Sequence, residues 1–499
     1  MKELSKWQVI SFMSRGVAMA LGIVQSFFIV RLLSVAEYGI VQLAASIGGA
    51  FGIYQHLGLA SGSTREISAA KDDTEIFKIF ITALVIRYVV TVPLVLFLFL
   101  SANSLAVNTY NDEALILPIK IYALVLVLQG VQSILNSVIS GTKRFKNLFL
   151  FQSGIAIVSV LLFIPLVYFY KVNGYFYALA LFNLVSSTIL AYIAFKPLKG
   201  KLALPSKKDF KALLKELLSI SLAIYFVKIL YTWWEKSGPL LLGLEVSKEA
   251  VGIFAFGMLY AKKLMNISDA VTDVNLPVLS EKYVHDIDSF KTLFSDNFNK
   301  IYIMVIFVAA SAVYWSKDVI MLLVGGDKYN DSFPYILPLV FAFVFYSFIN
   351  IIKSSVIIPA KLVKELISSF VVLLAGTVVF YVLTNENLGS LSSMAYAMLT
   401  GSALCAMFMV FVSQYKLSFK FITHDHYLLM VQGIAIAWVG GGYTLLNGLP
   451  ANFIVKAIIY IIFVLLFYWG ARISNFISKE DLEFVFNKFN KRKRKEELK

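Results

Sequence analysis

Apolar runs of about twenty residues succeed one another along almost the whole chain, separated by short polar gaps. On a helix rising about 1.5 Å per residue, such a run crosses a hydrocarbon core of about 30 Å. The pattern predicts spans at about 7–30, 38–60, 79–101, 114–139, 148–170, 173–195 and 213–233. Seven more follow at about 250–279, 299–315, 333–357, 365–384, 388–412, 424–446 and 451–472. Lys and Arg fall in alternate gaps: 32 of the 45 lie on one side of the predicted membrane and six on the other. Those six are Arg31, Lys171, Lys236, Lys248, Lys317 and Lys328. The cation-rich side is the cytoplasmic one, which places both termini in the cytoplasm. The first run, from Trp7 to Leu33, is too long for a cleaved leader and lacks a cleavage site, so it is expected to be the first span.

Composition closes off other classes. Apolar residues make up 59%, charged residues 15%, and the mean hydropathy is +0.78, too little charge to cover a soluble surface. The net charge of +15 suggests nucleic acid only until its distribution is seen; it sorts by membrane side instead. Cys405 stands alone, so no disulfide is expected. His424 and His426 form a short pair without further ligands, at an expected loop edge. The basic tail Lys491-Arg492-Lys493-Arg494-Lys495 reads as an anchor on anionic lipid. No phosphate loop, nucleophile–base pair or ATP-binding signature is present, so neither an enzyme nor a resident cofactor is expected.

The chain carries a faint internal copy. Tyr110-Asn111-Asp112 then Ile116-Leu117-Pro118 matches Tyr329-Asn330-Asp331 then Ile336-Leu337-Pro338. Lys143 and Lys146 match Lys361 and Lys364, and Ser34 with Gly39-Ile40 matches Ser247 with Gly252-Ile253. The order and the membrane side agree throughout, which points to duplication. The expected architecture is all-α: a six-helix lobe over 1–212, a parallel six-helix lobe over 213–420, two additional helices over 421–475, and a basic tail over 476–499.

Seven cations fall inside predicted spans: Arg15, Arg87, Lys120, Lys228, Lys262, Lys263 and Lys456. An ionisable group at that depth is costly and faces water or a partner unless its stem lifts the charge to the interface. Both readings are open for Lys120, Lys228, Lys456 and Arg87. Span 8 differs: Lys262, Asn266, Asp269 and Asp273 share one helical face near mid-membrane, with Lys263 about 100° round. Gln8, Ser11, Arg15, Gly22 and Ser26 form a second such stripe on span 1. With no Asp or Glu inside the first six spans, a cavity lined by these cations suits an anion such as phosphate, diphosphate or an acidic sugar.

The stretch Phe28-Ile29-Val30-Arg31-Leu32-Leu33-Ser34-Val35-Ala36-Glu37-Tyr38-Gly39 resembles the start of Wzx-type polysaccharide flippases. Leu57-Gly58-Leu59 with Arg65, Gly141-Thr142-Lys143-Arg144-Phe145-Lys146, Val251-Gly252-Ile253-Phe254 and Leu276-Pro277-Val278-Leu279-Ser280 extend the resemblance over the chain. It implies a V-shaped bundle with a central cationic cavity that moves undecaprenyl-diphosphate-linked oligosaccharide outward by alternating access. Arg15 and Lys262 would touch the diphosphate or acidic sugar, supported by Arg87, Lys228, Lys263 and Asn266. Asp269 and Asp273 would serve H+ or Na+ coupling or act as counter-charges. The implied partners are the lipid bilayer, the polyprenyl-linked oligosaccharide, and a polysaccharide polymerase with its chain-length regulator. A lipid II flippase and a MATE-type drug exporter share the superfamily and stay open as alternatives.

Overall fold

The computed structural model describes residues 2–198, 203–219, 222–263, 282–283, 285–443 and 453–474, with 279 and 476 singly. Among these residues the chain is helical, without strands. Among the described residues, eight helices are long and apolar enough to cross a membrane.

One compact unit comprises residues 1–256, 320–332 and 373–394. It opens with α1 (Lys2–Leu32), whose last turn carries Arg31. α2 (Val35–Gly52) begins at a capping box: Ser34 Oγ accepts from Glu37 N–H at 3.1 Å, and Glu37 Oε2 accepts from Ser34 N–H at 2.7 Å. A 3-10 turn over Ile53–Gln55 ends this helix, and Leu57 and Gly58 take left-handed φ of 45° and 70°. The chain resumes as α3 (Leu59–Ala69). The span expected over 38–60 is therefore interrupted near its end, where Gly58 accepts a conformation that disfavours other residues.

α4 (Asp73–Asn103) starts at Asp72, whose carboxylate accepts from Glu75 N–H at 2.7 Å. α5 (Ile116–Gly141) packs against it. α6 (Phe145–Phe195) is two arms joined at Lys171, which has φ 53° and ψ −127°. That break falls between the spans expected at 148–170 and 173–195. Gly174 lets the arms close, because a Cβ there would lie 1.9 Å from Leu166 O.

α7 (Lys207–Ser219) is a short amphipathic helix whose Leu213, Leu214, Leu217 and Leu218 join the apolar cluster beneath α3, α4 and α5. α8 (Leu222–Glu245) follows. It runs past the end of the span expected over 213–233. The consequence is chemical, since Glu235 and Lys236, expected in an outer loop, lie on α8.

α9 (Lys248–Lys262) starts in this unit. The second unit comprises residues 257–319, 333–372 and 395–499. Its described helices are α10 (Ile287–Tyr314), α11 (Ser316–Ile320), α12 (Phe333–Ile352), α13 (Val363–Leu388, from Leu373 part of the first unit), α14 (Ser390–Leu417, up to Met394 part of the first unit), α15 (His424–Ala437) and α16 (Phe453–Ile473). α12 is apolar almost all round and largely buried, as a helix without a polar face must be. Phe290, Phe294 and Phe298 line up along α10, and the last two meet Phe421 edge-on.

The local geometry repeats with the sequence. Ser34 and Ser247 each cap the helix that follows, Ser247 Oγ accepting from Ala250 N–H at 3.2 Å. Lys143 and Lys361 each adopt a left-handed turn, with φ of 57° and 56°. The next amide reaches back in both: Arg144 N–H to Ile139 O at 3.1 Å, and Leu362 N–H to Ile357 O at 3.0 Å.

Candidate functional site

The break between α2 and α3 builds the most distinctive polar site. Turning the chain at 53–58 directs Gln55 and His56 toward α4, where Arg87 lies 0% exposed. Arg87 Nη2 and His56 Nδ1 are 3.2 Å apart. Thr91, one turn further along α4, donates to Gln55 Oε1 at 3.2 Å and to Arg87 O at 2.9 Å. Tyr88 donates to Val127 O on α5 at 2.7 Å. On α8, Tyr225 donates to Tyr54 O and Trp233 Nε1 to the Tyr54 hydroxyl, both at 2.9 Å, fastening that helix to the broken turn. Irregular backbone at membrane depth survives only where protein or water satisfies it, and here side chains do so.

The cluster is electropositive. Lys228 on α8 is exposed and acts electrostatically on His56 together with Arg87, and the two cations repel each other. Among the described residues no carboxylate pairs with Arg87. Its Nε and Nη1, and Gln55 Nε2, are buried without an acceptor.

The other expected site residues fall differently. The side chain of Arg15 on α1, and Asn266, Asp269 and Asp273 altogether, lie outside the described residues. Lys262 closes α9, half-buried, with Lys263 beside it in a turn. Lys120 sits 5.6 Å from the Phe99 ring centroid, a cation–π contact near the start of α5. Lys456 is paired, not cavity-lining: its ammonium meets Asp318 and stands 5.0 Å from the Trp315 ring and 5.5 Å from Tyr314. His426 is buried, its Nδ1 bonded to Thr423 N–H at 3.1 Å and its Nε2 to Asn299 Oδ1 at 3.0 Å. It caps α15, and no group of acids, His or Cys among the described residues could hold a metal.

Sequence reasoning read Arg87 and Lys228 but missed His56, Gln55 and Glu235. The left-handed Leu57-Gly58 step was the available signal for the first two. Glu235 lay just past the expected end of the span at 233; its carboxylate takes a hydrogen bond from Lys236 Nζ at 3.3 Å. A second acidic cluster closes the end of α8: Glu245 Oε2 accepts from Tyr381 at 2.5 Å, and from Asn385 and Ser390 at 3.0 Å each.

The fold is that of membrane transporters and flippases of the MOP superfamily. An inward-facing multidrug resistance MATE family transporter superposes with a TM-score of 0.68 at 14% identity, over 82% of this chain and 98% of that one. Lipid II flippase MurJ, in an inward closed conformation, gives 0.66 at 13%, over 94% and 98%. No curated protein matches in sequence. The polysaccharide biosynthesis protein family matches residues 28–334, and the chain belongs to that family.

Proposed function

We propose that the protein flips undecaprenyl-diphosphate-linked oligosaccharide repeat units from the cytoplasmic to the outer leaflet of a bacterial inner membrane, for surface polysaccharide or O-antigen assembly. The family match supports a polysaccharide role, and the likeness to a lipid II flippase is consistent with it. The observation that carries the reading is the unneutralised cluster of Arg87 and Lys228, which suits an anionic head group and not a cationic drug.

In this reading Lys228, exposed on α8, touches the diphosphate or acidic sugar directly. Arg15 and Lys262 supply further contacts, with Lys263 and Asn266 beside Lys262. Arg87 stands behind the surface and contributes its field. Asp269 and Asp273 serve as coupling or counter-charge groups for H+ or Na+. The two lobes rock about the substrate with both termini cytoplasmic, and the product passes to a polymerase and its chain-length regulator.

The test is deletion of the gene. Surface polysaccharide should vanish and repeat units should accumulate on cytoplasmic-facing lipid, with rescue by wild type but not by an inserted Arg15→Ala, Lys262→Ala variant. Intact polysaccharide with new drug sensitivity would instead favour the exporter reading; loss of peptidoglycan precursor flipping would favour lipid II.

A further inference from the structure

A cleft of about 350 Å³ opens between α1 and the two arms of α6, wholly inside the first unit. Gly22 and Gln25 line it from α1, Gln152, Ala156 and Ser159 from the first arm of α6, and Phe182 from the second. A Cβ on Gly22 would meet nothing within 4 Å, so the space reaches the α1 backbone. Its volume falls in the range of small-ligand sites, roughly 300–1,000 Å³. The spans expected over 7–30 and 148–170 put this lining at bilayer depth, where an amide turned to hydrocarbon is costly.

The lining carries hydrogen-bonding groups without charge. Ser159 Oγ donates to Gln25 Oε1 at 2.8 Å, tying α6 to α1 and leaving the Gln25 amino group as a donor. Gln152 Oε1 is buried without a partner among the described residues, so this side chain gains by turning toward a ligand's O–H. Phe182 adds an aromatic face, its ring held edge-on by Phe163 at 6.3 Å between centroids. None of the described lining residues is ionisable. A phosphate would want a cation here, and a cationic drug an acid. An acyl chain would leave the amides unpaired. A neutral sugar suits every feature: its hydroxyls both give and accept hydrogen bonds, and its C–H face lies against an aromatic ring.

We infer that this cleft is a subsite for a neutral sugar residue of the transported glycan. The inference rests on the flippase reading and adds a second chemistry to it: cations take the anionic head group, uncharged amides take a sugar. It also gives the protein a means of selection. A sugar lacking the matching hydroxyls would leave the Gln25 and Gln152 amides unpaired and would be rejected for that reason. Gly22 keeps the space open, and a longer side chain there would fill it.

Photo-crosslinking of the full-length protein in the deletion strain tests this, with the cell's glycans metabolically labelled at their sugars. One diazirine side chain replaces Ala18, which also lines the cleft. Another replaces Thr232, one turn from Lys228 on α8, and reports on the cationic site. Light should give sugar-labelled adducts at both positions. Gly22→Leu fills the cleft without removing a polar group. It should lower the Ala18 adduct and polysaccharide export by about tenfold or more, with thermal stability and the Thr232 adduct unchanged. Gln152→Leu should act alike by about tenfold; where that variant fails to insert, Gly22→Leu decides. Phospholipid alone in the Ala18 adducts, no sugar label there, or full export by Gly22→Leu would overturn the subsite. Label at Thr232 would then leave the flippase reading standing, whereas intact surface polysaccharide in the deletion strain would remove both.

Discussion

Gly39 and Gly252 meet backbone to backbone where α2 and α9 begin. A Cβ on Gly39 would lie 1.8 Å from Lys248 O and 2.9 Å from Gly252 N; a Cβ on Gly252 would lie 2.1 Å from Val35 O. The two glycines are also the counterparts of one another in the internal sequence match. Neither position tolerates a methyl group without separating the helices, so each copy supplies the gap that the other fills.

Gly39→Ala and Gly252→Ala should therefore each destabilise the protein by about 1–3 kcal/mol, the usual cost of overpacking. Scanning calorimetry in detergent should show the loss. A double variant should lose less than the sum of the two, because one separation relieves both clashes.

Lys228→Met should reduce polysaccharide export by about tenfold or more, as the loss of one charge-assisted contact predicts, while changing stability by no more than about 0.5 kcal/mol. Lys228→Arg should retain most activity. Export assayed in the deletion strain, with thermal stability measured alongside, separates a transport defect from a folding one.

Lys456 and Asp318 form an ion pair with the lysine 7% and the aspartate 42% exposed. Asp318→Asn strands the buried ammonium and should cost on the order of 1–3 kcal/mol, less than a fully buried pair because Asp318 is half in solvent. Replacing both residues with Leu and Met should restore much of the loss. Denaturation of the three variants checks the order.

Lys78 Nζ donates to Asp209 Oδ2 at 2.9 Å, and with Ser206 it holds that carboxyl below its ordinary value of 3.8. A depressed folded-state pKa gives stability that is present above the unfolded value and lost as pH falls through the folded one. Docking of α7 on α4 should thus loosen only under acid conditions, below about pH 4. Proteolysis of the segment before α7 should rise there in wild type, and Asp209→Asn should show no such step.

Much of the helical order was legible because apolar run length is a local property. The break at Lys171 and the starts of α12, α13, α14, α15 and α16 fall within a few residues of expectation. The far end of α8 was not, because Glu235 and Lys236 close the apolar run while the helix continues to Glu245. That one ambiguity hid Glu235. In the site, Arg87 and Lys228 stood out as charges among apolar residues, whereas His56 and Gln55 acquire meaning only through a partner more than thirty positions away.

The paired turns at Lys143 and Lys361 carry a final implication. A left-handed conformation costs a side-chain-bearing residue about 1–2 kcal/mol, and glycine would remove that strain. Twice the chain keeps lysine instead, each time in a turn between two helices. On a cytoplasmic face a cation gains about 1 kcal/mol from anionic lipid, enough to offset much of that strain. Gly replacements would therefore relax the fold while loosening its hold on the membrane surface.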